Sequence, residues 1–200
     1  IIKPFGRDLL WHVNTSENEL YLTFDDGPVV GVTEYVLDIL KKYKAAATFF
    51  CVGENAMKNP GLLNRIVAEG HRIANHSFNH LSGWKTANYT YYKNILKARK
   101  YIDSILFRPP YGRITRQQTL LLKKRFKIIM WDVLSGDFDN RNTPEICTNN
   151  VIKASKPGSI IVFHDSLKAK KNVLESLPLV LEHFALKGFT FKKLPDGKIE

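Results

Sequence analysis

Strand-like apolar runs occur at residues 20–24, 46–51, 71–74, 127–133, 159–163 and 188–191, with a shorter run at 105–107. Between them lie segments whose apolar residues recur three and four positions apart, the spacing of one helix face. In 33–43 the face is Val36, Leu37, Leu40 and Tyr43. The segment 60–69 opens on Pro60 and stops before Gly70, the start and stop preferences of a helix. Helices are expected also over 89–106, 115–124, 143–154 and 172–186. This βαβα alternation predicts a mostly parallel sheet with crossover helices. About seven strands with no repeat or low-complexity linker point to one domain over 1–200, an α/β fold built as a single distorted, TIM-barrel-like (β/α)7 barrel. A doubly wound open sheet is the alternative, but Asp25-Asp26-Gly27-Pro28 stands where its Gly-rich phosphate loop would follow the first strand.

Polar residues cluster at the ends of these runs. Asp25 and Asp26 follow the first, His76 and His80 the third, Arg108 the fourth, Asp132 and Asp137 the fifth, and His164 the sixth. In a β/α barrel such positions converge on one mouth, where active sites are built.

Composition narrows the possibilities. A 44% hydrophobic content with 12 Phe, 8 Tyr and 3 Trp in 200 residues is ample for a core. No apolar stretch approaches the length of a membrane span, and Ile1-Ile2-Lys3-Pro4-Phe5 lacks the long apolar segment of a signal peptide, which fixes no compartment. Cys51 and Cys147 form no disulfide framework and are expected as two buried thiols. The net charge of +11 favours anionic surfaces, yet the lysines are spread over several segments without the aromatic-interleaved stripe of a nucleic-acid reader, so no nucleic-acid partner is expected.

Carboxylates at the end of a buried strand are costly unless they bind a cation or move a proton. Successive strand residues point to opposite sides, so Asp25 and Asp26 need not share one task. His76-Ser77-Phe78-Asn79-His80 sets two imidazoles four residues apart, on one face of a helical turn. With Asp26 they make two nitrogens and one oxygen, the ligand count of a catalytic metal site with open positions. Zinc suits that set best, with cobalt, manganese or iron as alternatives. In Arg108-Pro109-Pro110-Tyr111-Gly112 two prolines remove donors and stiffen the turn, so the Tyr111 N–H is aimed in a defined direction and suits an oxyanion. Arg108 suits a carboxylate partner. His164, at the exit of the run 159–163, titrates near neutrality and suits proton transfer. His12, His71 and His183 lack companions and read as structural or surface residues, and Asp165 as the start of a turn.

The segments 23–28, 76–80, 108–112, 131–138 and 162–165 occur in the order and approximate spacing of the five motifs of the polysaccharide deacetylases, the family 4 carbohydrate esterases with the NodB-like domain. The resemblance covers residues 21 to 191. It implies a distorted (β/α)7 barrel and a metal-dependent N-deacetylase, with a secreted or cell-envelope setting. By position, Asp25 resembles the general base, Asp26, His76 and His80 the metal ligands, and Arg108 the residue that positions the base. The Tyr111 N–H resembles the oxyanion donor, His164 the general acid, and Asp137 the group that tunes it. Phe138 and Val162 fall where the family lines a pocket for the acetyl methyl, and Pro110 joins them as a substrate-contacting residue. The family often has Trp where Phe138 stands, so an indole N–H donor is lost here. Asp132 has no counterpart and reads as structural.

The implied partner is an N-acetylated glycan (chitin oligomer, peptidoglycan or exopolysaccharide), and a monomer is expected. The competing readings are an O-acetyl esterase on xylan or another acetylated glycan, a catalytically silent glycan-binding domain, and a non-haem iron oxygenase, since two His and one carboxylate also suit iron. Trp84 and Tyr89 are candidates for stacking on sugar rings at the rim.

Overall fold

The computed structural model describes residues 8–195. In chain order the strands are β1 (Leu9–Leu10), β2 (Glu19–Asp25), β3 (Ala47–Cys51), β4 (Arg72–Asn75), β5 (Leu106–Phe107), β6 (Lys127–Ile129), β7 (Val133–Leu134), β8 (Ile160–His164) and β9 (Thr190–Phe191). The helices are α1 (Thr33–Lys42), α2 (Gly53–Lys58), α3 (Pro60–Ala68), α4 (Asn88–Ala98), α5 (Arg116–Leu122), α6 (Pro144–Ala154) and α7 (Lys170–Leu186). The sheet order is β1-β6-β5-β4-β3-β2-β8-β7, with β9 against the start of β2, and every ladder is parallel.

The parallel sheet curls into a half-barrel, and irregular backbone ties its two edges together. The Met130 N–H donates to the Leu10 carbonyl on one side, and the Asp132 and Val13 N–H groups donate to Ile160 and Gly158 on the other. Asp132 accepts from the Ile160 N–H, from Ser159 Oγ and from the His12 ring, which makes it and His12 structural. The run 127–133 is therefore two strands instead of one, because residues 130–132 cross from β6 to the β8 edge. The expected helix over 89–106 stops at Ala98; the chain turns there, with the Ile102 N–H still bonded to the Ala98 carbonyl and its side chain fully buried. The short elements β1 and α2 have too little periodicity to register in the pattern.

Strand phase decides what reaches the mouth. Leu20, Leu22 and Phe24 of β2 pack outward with Val36, Leu37 and Leu40 of α1 and Leu177, Val180 and Leu181 of α7. Tyr21 faces the other way, packing with Phe50, Ala74, Leu106, Ile129 and Ile160. Side chains alternate along a strand, so Asp25 shares the Tyr21 face, and Val162 and His164 share that of Ile160. Continuing the phase past Ala74 and Leu106 brings His76 and Arg108 to the same side. Cys51 and Cys147 are free, buried thiols. Among the described residues no helix is long and apolar enough to cross a membrane.

Candidate active site

Asp25 ends β2, directly beside His164 at the end of β8 in the parallel register. Its Oδ1 accepts a 2.7 Å hydrogen bond from Arg108 Nη1, and Oδ2 lies 4.0 Å from His76 Nε2. Arg108 is completely buried. The same Nη1 donates to Thr23 Oγ1, Nη2 donates to the Met130 carbonyl, and the guanidinium lies 4.1 Å from the Phe50 ring centroid. Ordering one carboxylate oxygen in this way leaves the other for chemistry.

Asp26 has left the strand and takes φ +84°, a left-handed conformation that non-glycine residues seldom adopt. That turn brings its Oδ1 to 3.1 Å from His80 Nε2 and 3.8 Å from His76 Nε2. Burial would raise the Asp26 carboxyl, but the His80 hydrogen bond and the charges of nearby imidazoles outweigh it and hold the pKa at about 2.

The segment 76–80 is a loop and not the helical turn expected from its spacing. Ser77 and His80 have φ of +62° and +54°, and the Ser77 and Phe78 N–H groups are taken by Asn75 Oδ1 and Asn94 Oδ1. The two rings still meet, with centroids 5.0 Å apart. His76 Nδ1 lies 2.8 Å from the Arg108 carbonyl, an acceptor only, so Nδ1 carries the proton and Nε2 presents its lone pair toward the two aspartates. Burial pushes the His76 pKa down to about 4 against the pull of Asp25, keeping the imidazole neutral. His80 Nδ1 meets the Tyr111 hydroxyl, a group able to donate or accept, at 3.1 Å, and its Nε2 faces Asp26.

One ligand atom each from Asp26, His76 and His80 lie within 4.8 Å of one another. With both Nδ1 atoms occupied by second partners and both Nε2 atoms turned inward, the donor set fits a divalent metal with outer-shell support.

On the opposite wall His164 Nδ1 lies 2.8 Å from Asp137 Oδ1, while Asp137 Oδ2 accepts the His164 backbone N–H at 2.7 Å. Asp137 is fully buried. Burial alone would lower the His164 pKa, but the charge and hydrogen bond of Asp137, with Asp25 and Asp26 adding to them, lift it to about 9. The Phe138 ring stands edge-on to His164 at 5.1 Å. Phe138 and Val162 both line a cavity of about 620 Å³ together with Asp25, Asp26, His76, His80, Tyr111 and His164. Tyr111 has φ +60° in the turn after β5; Pro110 is buried and does not line the cavity.

One residue whose part was not visible in the pattern is Asp165. Its fully buried carboxylate accepts from the Gly27 N–H (3.0 Å) and from Thr33 Oγ1 (2.6 Å), and its own N–H donates to the Asp25 carbonyl. It thereby fixes the backbone on both sides of Asp26. A Cβ on Gly27 would collide with that carboxylate. Burial raises the Asp165 pKa to about 8. Trp84 and Tyr89 are exposed but outside the cavity lining.

A family model described as polysaccharide deacetylase matches residues 12–126. The chain belongs to the polysaccharide deacetylase family. A peptidoglycan-N-acetylglucosamine deacetylase of Bacillus cereus is 32% identical over 197 residues, 95% of this chain and 92% of that protein. Among solved structures, the Bc1960 peptidoglycan N-acetylglucosamine deacetylase in complex with 4-naphthalen-1-yl-N-oxidanyl-benzamide superposes with a TM-score of 0.89 at 32% identity, covering 94% of this chain and 91% of the other. A family 4 carbohydrate esterase from Streptomyces lividans in complex with acetate gives 0.81 at 28% identity, covering 89% and 93%. The curled half-barrel matches the distorted barrel of this deacetylase family.

Proposed function

We propose that the chain hydrolyses the acetamide of an N-acetylglucosamine-type sugar in a glycan, releasing acetate and leaving a free amine. The observation that carries this reading is the pairing of Asp25 and His164 on adjacent strand ends. One is a carboxylate with a free oxygen, the other an imidazole held protonated, and they flank a three-donor metal cluster in one cavity. A divalent metal bound by Asp26, His76 and His80, with zinc the best fit to two nitrogens and one oxygen, would supply Lewis-acid polarisation of the carbonyl and a more acidic water.

The remaining work belongs to the chain. Asp25 Oδ2 accepts the proton of the attacking water while Arg108 keeps the carboxylate oriented. The Tyr111 backbone N–H donates to the developing oxyanion. His164, with Nδ1 engaged by Asp137, gives the proton on Nε2 to the departing nitrogen, since an amine leaves far more readily than its anion. Val162 and Phe138 offer apolar wall to the acetyl methyl. The relatives named for peptidoglycan support a bacterial wall glycan as the polymer.

Acetate release from N-acetylated and O-acetylated oligosaccharides of equal length tests the reading. Preferential release from the N-acetylated substrate is expected. Preference for the O-acetylated one would make the chain an esterase, and binding without release from either would make it a glycan-binding domain.

A further inference from the structure

The cavity wall also carries a cation with no carboxylate beside it. Arg113, exposed at the end of the turn after β5, lines the cavity. Its backbone is held at both ends: its N–H donates to the Pro110 carbonyl, and its carbonyl accepts the Gly83 N–H. The guanidinium lies 5.3 Å from the Trp84 ring centroid and 5.8 Å from that of Tyr111. Both aromatics are themselves tied, Trp84 by its Nε1–H to the Ile114 carbonyl and Tyr111 by its hydroxyl to His80. Arg65, Arg108 and Arg141 each meet a carboxylate; Arg113, like Arg99, Arg116 and Arg125, has no ion pair among the described residues, and of these four it is the one that lines the cavity. Aromatic contacts of this kind hold a guanidinium in place through its faces and leave its N–H edge for a planar acceptor.

We propose that Arg113 is a carboxylate-reading subsite, and that the preferred glycan bears a carboxylate on the sugar next to the one deacetylated. This rests on the deacetylase reading above. Arg113 is two residues beyond Tyr111, so at most about 7 Å of backbone separates it from the oxyanion donor, the scale of one sugar ring. A guanidinium on the cavity wall at that distance from the oxyanion donor can match a carboxylate bidentately and gains little from an uncharged glycan.

The test uses three oligosaccharides of one length: N-acetylglucosamine only; the same with carboxylate-bearing ether substituents on alternate sugars; and the latter with each carboxylate converted to an amide. The wild type is expected to favour the carboxylate over the amide by about fivefold in kcat/KM, mostly through KM and fading with added salt, as for a partly exposed pair. In Arg113→Gln that ratio falls to near one, and in Arg113→Lys it is intermediate. Equal rates on carboxylate and amide for the wild type would overturn the subsite while leaving the deacetylase reading intact. So would a preference that survives Arg113→Gln, which would move the reader elsewhere, for instance to Lys168 on the same cavity. Acetate from none of the three would sink the deacetylase reading. An NMR titration showing equal affinity for carboxylate and amide would then remove the subsite as well.

Discussion

Replacing Asp137 by Asn leaves an isosteric side chain beside His164 but removes its charge. In the wild type the His164 pKa stands at about 9 against an ordinary 6.5, although burial pushes it down. The two and a half units correspond to about 3 kcal/mol favouring the imidazolium. With the Asp137 charge gone, burial opposes only the weaker pull of Asp25 and Asp26, and a return to about the ordinary 6.5 is expected. At pH 8 roughly 90% of His164 is then protonated in the wild type and roughly 3% in the variant, a roughly 30-fold loss of the acid form. The expected result is an alkaline limb of the kcat profile displaced to lower pH by two units or more, with activity partly recovered near pH 6. A bound cation would lower both pKa values and leave the difference between the proteins. Stability carries the same sign. A histidine raised in the folded state stabilises fully below pH 6.5 and loses that contribution as pH rises toward 9, so the metal-free wild type should lose Tm over that window more steeply than Asp137→Asn. The measurements are kcat against pH and the His164 ring resonances by NMR. An unmoved alkaline limb together with an unshifted imidazole pKa would refute the reasoning.

Other substitutions separate the remaining parts. Asp25→Asn should keep metal affinity and lose about 10²–10⁴ in kcat; near-normal turnover in steady-state assays would remove Asp25 from the base position. His76→Ala and His80→Ala should weaken metal binding in a calorimetric titration while the metal-free protein keeps its circular dichroism spectrum; unchanged affinity would argue against the cluster. Asp165→Ala leaves the Gly27 N–H and Thr33 hydroxyl buried without their partner and should cost about 1–3 kcal/mol in urea unfolding. Gly27→Ala should be at least as damaging because its Cβ meets the Asp165 carboxylate, and a wild-type midpoint for either variant would contradict the packing.

Much of the site was legible because strand phase and strand ends leave a one-dimensional trace. Asp25, His76, Arg108 and His164 each follow an apolar run, and the half-barrel brings those ends together. Less visible was anything set by local backbone conformation. The spacing of His76 and His80 suggests a helical turn, but left-handed angles at Ser77 and His80 and the Asn75 and Asn94 side chains impose a loop instead. Residues 127–133 read as one strand because nothing local announces that Asp132 will bond across to Ser159 and Ile160. Asp165 was hidden for a related reason: its partners Gly27 and Thr33 lie far away in the chain, and a buried acid following a catalytic-type histidine looks like a turn residue. Pro110, expected to touch substrate, is buried in the turn after β5 and outside the cavity lining.

The central claim is that Asp26, His76 and His80 hold a divalent cation in a cavity where Asp25 and His164 cleave an acetamide. Acetate and free-amine release from an N-acetylglucosamine oligomer, measured on chelator-stripped protein before and after one equivalent of zinc, tests it most directly. The expected result is negligible release before, and release of acetate and amine in equal amounts after. Full activity in the stripped protein, or none with zinc, cobalt or manganese restored, would contradict it.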